Sequence, residues 1–228
     1  MAINKKSIIG VLIVTFVIIL CVGYCYPKYK EHLRWKNYFD RTSIGNPNKL
    51  VSNFFEAGVY QEAANITILD LGAGNGNDSI FLLNKGYSVY AVDFQDESIT
   101  RIRSKIREDT KQNIKLIKSS FQNIEWQTLP KFDVIIAINS ISFINEDDFN
   151  DLWSKIINQL KPNGVLITRL FGSNLSWPNM ENMTLLDKSQ VTKLTNGLEV
   201  IQNNEEFYEE NGLTQHAYNL ILKKNLKY

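Results

Sequence analysis

The residues best suited to chemistry in this 228-residue chain lie in one short stretch, Ile68-Leu69-Asp70-Leu71-Gly72-Ala73-Gly74-Asn75-Gly76-Asn77. Three glycines follow an apolar run and precede a helical pattern. Glycine lets the backbone turn sharply and lets a ligand approach the main chain. The helix start behind the loop offers free N–H groups. A second apolar run, Tyr90-Ala91-Val92-Asp93, ends in a carboxylate 21 residues after Gly72. An acid in that place can accept hydrogen bonds from both hydroxyls of a ribose. Phe94 follows directly and is placed to flank an adenine face. Asp70 stands at the mouth of the first run, where its carboxylate attracts a cationic group. Two phosphate cradles fail in detail. The dinucleotide pattern G-x-G-x-x-G wants glycine at position 77, which is Asn77, and the lysine and spacing of a P-loop are missing.

The elements that must carry these residues alternate in type. Leu50–Glu62 has the pattern of an amphipathic helix, with Leu50, Phe54 and Phe55 on one side. Ile66–Leu71 reads as a strand, and Asn77–Leu83 as the helix after the glycines. Ser88–Asp93 is a second strand. Glu97–Glu108 is a charged helix with Ile99, Ile102 and Ile106 as its inward stripe. Ile114–Lys118 is a third strand, and Phe132–Asn139, almost wholly apolar, a fourth and central one. Asp147–Leu160 is a helix, Lys161-Pro162-Asn163-Gly164 a turn, and Val165–Phe171 a fifth strand. This alternation predicts an α/β fold, a doubly wound, mostly parallel sheet covered by helices on both faces. Leu198–Gln202 and His216–Leu222 have no helical pattern between them, only an acidic, Asn-rich segment. They predict an antiparallel hairpin at the sheet edge.

Composition removes several classes. Hydrophobic residues make up 44% of the chain, enough for a core, so wholesale disorder is excluded. Two cysteines and two histidines rule out a disulfide scaffold and a His/Cys zinc cluster, and no metal is expected. Residues 1–41 hold seven Lys/Arg against two acids, whereas the rest holds 18 Lys/Arg against 22 acids. A mildly acidic domain argues against nucleic acid as a partner.

Residues 1–6 are a short tail and 7–27 an uncharged apolar run bracketed by Lys6 and Lys28. As a helix that run reaches about 30 Å, one hydrocarbon core. It is longer than the apolar part of a cleaved leader, so the expectation is an uncleaved transmembrane helix. Two Lys/Arg precede it and five follow by residue 41, which predicts a single-pass protein with its C-terminal domain cytoplasmic. Residues 28–47 form a basic juxtamembrane linker containing Trp35, Tyr38 and Phe39. Trp35 and Tyr38 are candidates for a lid or for membrane contact. The globular domain is expected over 48–228.

Together, LDLGAGNG (69–76), YAVD (90–93), FDVIIAINS (132–140) and LKPNGVLI (160–167) resemble the class I S-adenosylmethionine-dependent methyltransferases. The segments at 78–93 and 215–224 look most like the small tellurite-resistance and thiopurine type members. The resemblance covers about residues 35–224. It implies a Rossmann-like seven-stranded sheet, S-adenosyl-L-methionine as cofactor and transfer of a methyl group. It also implies roles for particular residues. Gly72, Ala73, Gly74 and Gly76 would line the methionine part, Asp70 would face its ammonium, and Asp93 would bind the ribose. Phe94, Ser120 and Phe121 would stand beside the adenine, with Ser120 where the family often has an acid. Asn139 and Ser140 would lie where cofactor and acceptor meet.

No catalytic base is assigned, and His216 reads as a structural histidine of the last strand. The segment Ser173–Asp187, with Trp177, Pro178, Met180 and Met183, is the candidate acceptor rim. The favoured reading is a membrane-anchored methyltransferase for a small or lipophilic acceptor. A non-catalytic cofactor-binding module is the alternative, and a Rossmann oxidoreductase a distant third.

Overall fold

The computed structural model describes residues 33–42, 45–58, 65–178 and 182–226. The expected span at 7–27 lies outside them. Among the described residues, no helix is long and apolar enough to cross a membrane. The chain divides into two compact units, Met1–Ile44 and Gly45–Tyr228. In the first, residues 33–42 form helix α1, where Trp35 meets Tyr38 edge to face at 6.0 Å and Lys36 pairs with Asp40 at 2.9 Å.

The second unit is built on a seven-stranded sheet in the order β3-β2-β1-β4-β5-β7-β6. Strands β1 (Thr67–Leu71), β2 (Ser88–Asp93), β3 (Ile114–Lys118), β4 (Phe132–Ile138) and β5 (Leu160–Phe171) run parallel. Strand β7 (Leu213–Lys224) inserts antiparallel between β5 and β6 (Leu198–Glu210). The expected seven-stranded doubly wound sheet with an antiparallel terminal hairpin is therefore present. Strand β4 is buried on both faces. Val134 and Ile136 join one apolar cluster, while Ile135 and Ala137 join the other, which is why its sequence shows no alternation.

The helices divide between these clusters. Helices α2 (Lys49–Glu56), α3 (Asn77–Asn84) and α4 (Asp96–Lys105) pack on one face through Val51, Phe54, Phe55, Leu82, Leu83 and Ile102. Helix α5 (Glu146–Gln159) packs on the other through Phe149, Leu152, Trp153 and Ile156. The Asn145 side chain caps α5 by accepting the Asp148 N–H at 3.0 Å, and three acids in its first turn suit the helix dipole. Asp187 and Gln190 form a capping box on the short α6 (Lys188–Leu194).

Lys224, only 7% exposed, donates to the carbonyls of Ile157 and Leu160 at 2.9 and 3.1 Å. It closes the open C-terminal end of α5 from the last strand. Lys224→Met keeps the stem but leaves those carbonyls without a donor. It should lower stability by about 1–3 kcal/mol, measured by urea denaturation; an unchanged midpoint would refute the capping role.

Several boundaries move. Helix α2 stops at Glu56, not Glu62, because Gly58 takes a left-handed φ of 84° after the Ala57 cap; residues 59–64 are outside the description. Helix α4 ends at Lys105. Ile106 turns extended, with ψ 127°, and packs against the apolar cluster from outside the helix. The Lys161–Gly164 turn proves to be an excursion inside β5, since Phe132 pairs with Leu160 while Val134 pairs with Val165. Gly164 is needed there, because a Cβ would sit 2.9 Å from the Lys161 carbonyl. The largest correction is the hairpin. The acidic segment at 203–210 is strand, not loop, and β6 and β7 turn over Asn211 and Gly212, with φ 52° and 73°.

Candidate cofactor site

The C-terminal ends of β1, β2 and β4 bring the predicted residues together. Leaving β1, Gly72 and Ala73 both donate their backbone N–H to the Val92 carbonyl of β2, at 2.8 and 3.0 Å. Gly72, Gly74 and Gly76 all have positive φ, at 76°, 54° and 73°. At Gly72 the requirement is also spatial, because a Cβ would collide with Ser140 Cβ at the end of β4. At Gly76 a Cβ would collide with the Ile102 side chain of α4. The loop therefore lies flat between the β4 end and α4, half-buried at Gly72 and Ala73 and buried from Gly74 to Gly76.

Asp93 is wired into this loop. Its Oδ2 accepts the Gly74 N–H at 2.8 Å and its Oδ1 accepts the Gln95 N–H at 2.9 Å. Ser98 supports the arrangement by donating to the Gly74 carbonyl at 2.6 Å. The Ser98 hydroxyl and the Phe94 N–H also act on this carboxylate, which lies at the C-terminal end of β2, where the hydroxyls of a ribose can meet it. Phe94 beside it, at the end of β2, is 41% exposed. Phe121 does not stand out beside it. Its ring is half-buried, with Cζ 3.6 Å from where a Gly72 Cβ would be. Ser120 begins the turn Phe121–Asn123, and Ser119 N–H is tied to the Asp93 carbonyl at 3.0 Å.

Asp70 is almost fully buried and accepts a hydrogen bond from Ser79 Oγ at 2.6 Å. Burial, with the nearby charge of Asp78 and then that of Asp93, pushes its carboxyl up to about 7. Burial likewise lifts Asp78 to about 6, opposed by the Asn48 N–H, which it accepts at 2.6 Å. Asp93 is also raised by burial, with its backbone hydrogen bonds opposing the rise. Three crowded carboxyls, with no ion pair to a Lys or Arg among the described residues, are an electrostatic demand. A positively charged ligand beside Asp70 answers it, so the residues present fit S-adenosylmethionine, whose ammonium and sulfonium are both positive.

Asn139 leaves β4 with φ 49°. Its Oδ1 accepts from Arg169 Nη1 at 2.6 Å. Ser140, 7% exposed, has a hydroxyl with no partner among the described residues. The candidate rim crosses nearby. Thr184 N–H donates to the Ser142 carbonyl at 2.9 Å, and Trp177 packs on Phe171 with ring centroids 4.9 Å apart; residues 179–181, including Met180, are outside the description. His216 is 2% exposed and fully engaged. Its Nδ1 accepts the Asn174 N–H at 3.0 Å, so its proton sits on Nε2, facing Glu205 at 3.0 Å. Its ring occupies the space a Gly172 side chain would fill.

Sequence reasoning missed Asp78, Ser98 and Arg169. Only Arg169 carried a signal, a lone charge inside the apolar run of β5. A groove of about 840 Å³ lies apart from the glycine loop. It lies between α2 and the faces of β5, β7 and β6, with Arg169 and Glu206 on its wall. No group of three or more His, Cys, Asp or Glu among the described residues is placed to hold a metal.

Residues 68–164 match the family described as a methyltransferase domain. The ubiquinone biosynthesis O-methyltransferase of Rickettsia bellii is 26% identical over 110 residues, which are 47% of this chain and 43% of that protein. The chain thus spans less than half the length of the curated relatives it matches. Among solved structures, TehB from Haemophilus influenzae superposes with a TM-score of 0.62 at 15% identity, covering 76% of this chain and 62% of that one. The Burkholderia thailandensis 1,6-didemethyltoxoflavin-N1-methyltransferase, solved with S-adenosylhomocysteine, gives 0.61 at 14% identity, covering 99% and 92%. Residues 68–164 thus match a methyltransferase domain over less than half of the chain, and the seven-stranded sheet has the fold of these solved methyltransferases.

Proposed function

We propose that the chain is a membrane-anchored, S-adenosylmethionine-dependent methyltransferase acting on a small or lipophilic acceptor, with residues 7–27 as the anchor and the domain on the cytoplasmic side. The observation that carries the cofactor reading is the Asp93 clamp on Gly74, 2.8 Å long, beneath a loop of three left-handed glycines. The anchor rests on the uncharged apolar run and the basic residues after it. A relative named for ubiquinone biosynthesis supports a small, membrane-soluble acceptor.

When bound, the cofactor supplies a methyl group on a sulfonium that is its own leaving group. The chain's residues bind, orient and exclude water. The glycine loop and Asp93 hold the nucleoside and amino-acid parts. Asp70 offers a carboxylate to the ammonium. Ser140 and the strap at 182–186 close the β4 end, where the acceptor must arrive. Both His216 nitrogens are engaged. His216 is therefore not placed to take a proton from an acceptor.

The test titrates the full chain calorimetrically with S-adenosylmethionine, then follows labelled methyl transfer into a membrane extract. Micromolar binding and label in a small lipophilic product are expected. Binding without transfer to any fraction would favour the non-catalytic module, a reading that Ser120 in place of the usual acid supports. No binding by folded protein would remove both.

A further inference from the structure

Arg169 makes contacts that the cofactor reading leaves unexplained. It stands on β5 opposite Ile138 of β4, and its side chain is 15% exposed. Nη1 donates to Asn139 Oδ1 at 2.6 Å, and Nη2 to Glu206 Oε2 of β6 at 3.2 Å. The Arg169 carbonyl also accepts the Asn139 N–H at 3.3 Å. Asn139 is thus gripped through main chain and side chain while held at φ 49°, where non-glycine residues are uncommon.

The grip has a direction. A guanidinium only donates, so Asn139 must turn its amide oxygen to Arg169, and its Nδ2 faces away. The next residue carries the unpartnered hydroxyl. Ser140, at φ −126° and ψ −58°, presses its Cβ toward Gly72, and its buried Oγ finds no protein partner among the described residues. Buried hydroxyls are rarely left this way unless something else completes them. Ser140 sits over Gly72, the position at which the methionine end of the cofactor would lie.

We propose that Arg169 is a positioning residue for the amino-acid half of the cofactor. By locking Asn139 in its left-handed conformation, it aims the Ser140 hydroxyl and the Asn139 amide at the space over Gly72. Glu206 fixes the other arm of the guanidinium, so the terminal hairpin takes part in building the site. The inference rests on the cofactor reading and adds to it the source of selectivity for the amino-acid end.

The experiment compares two ligands on the full chain by calorimetry: S-adenosylmethionine and 5′-methylthioadenosine, which keeps the nucleoside and the sulfur but lacks the amino-acid end. Arg169→Met and Ser140→Ala should each weaken S-adenosylmethionine about tenfold, the size of one lost polar contact, and leave methylthioadenosine within about twofold. Arg169→Lys, which cannot span both partners, should fall between. Glu206→Gln, on a half-exposed side chain, should give a smaller loss with the same selectivity. Equal weakening of both ligands would mark general damage and overturn the inference. So would unchanged S-adenosylmethionine affinity in Ser140→Ala and Glu206→Gln, the pair that decides if Arg169→Met does not fold. A wild-type chain that binds both ligands equally would overturn the inference and leave the cofactor reading standing. One that binds neither would end both.

Discussion

Asp93→Ala should weaken S-adenosylmethionine binding by at least about 100-fold. Two hydrogen bonds from ribose hydroxyls to an ionised carboxylate account for roughly 3 kcal/mol or more. The substitution also frees the loop, because Gly74 and Gln95 lose the acceptors they have at 2.8 and 2.9 Å. The expected cost to folding is smaller, about 1–2 kcal/mol, since burial already disfavours the charged carboxylate. Asp93→Asn separates the two effects. An amide has one oxygen, so it can keep one backbone bond and must present a donor to the other. Its affinity should fall nearly as far as that of Asp93→Ala. Calorimetry on the two variants, with urea melts for stability, checks this. Tight binding by either variant would show that the nucleoside does not use this acid.

The ligand-free protein should lose stability as pH rises from about 4 to 7, through the carboxyls at the site. Asp70 titrates near 7 and Asp78 near 6 in the folded chain, against 3.8 for an ordinary aspartate. Between those values the folded state holds protons that the unfolded state has released. Stability from these groups is thus fully present below the ordinary value and is lost as pH climbs through 6 and 7. The full swing from Asp70 is a few kcal/mol at most, and the neighbouring acids titrate together with it. S-adenosylmethionine should reverse the trend, because its ammonium favours the ionised Asp70. It should bind more tightly at pH 8 than at 5.5 and release protons as it binds. Thermal midpoints at three pH values, with and without ligand, measure the first effect. Calorimetry in buffers of different ionisation enthalpy measures the second. Asp70→Asn keeps an acceptor for Ser79 and should flatten the pH slope. A variant slope as steep as that of the parent chain would place the cause elsewhere.

What could be read from the sequence follows from how local each signal is. The β-strand that ends in Asp70, the glycines and the strand that ends in Asp93 are contiguous, and each residue does its work within a few positions of its neighbours. Strand β2 lies where the sequence places it, α3 runs one residue further, and α5 is shifted by one residue at each end. The hairpin is longer than its apolar runs predict, because its turn chemistry and its charge point in opposite directions. Asn211-Gly212 is a strong hairpin signal, but Glu205, Glu206, Glu209 and Glu210 made the segment before it look like loop. An edge strand with one side in solvent tolerates those acids. The partners of Arg169 and Asp78 lie 30 or more residues away, and no periodicity connects such positions.

The position of β7 has a consequence for how the chain assembles during synthesis. It is the last of the seven strands to be made, yet it lies between β5 and β6. Until it emerges, β5 is an open edge beside β4, and β6 has no strand to pair with. Glu206 therefore reaches Arg169 only after the final insertion, and the β4 end stays unfinished while the glycine loop is already formed. A nascent chain stalled before residue 213 would present the apolar edge of β5 to other chains. Such edges are where aggregation begins, so the interval between β6 and β7 is when this protein most needs protection.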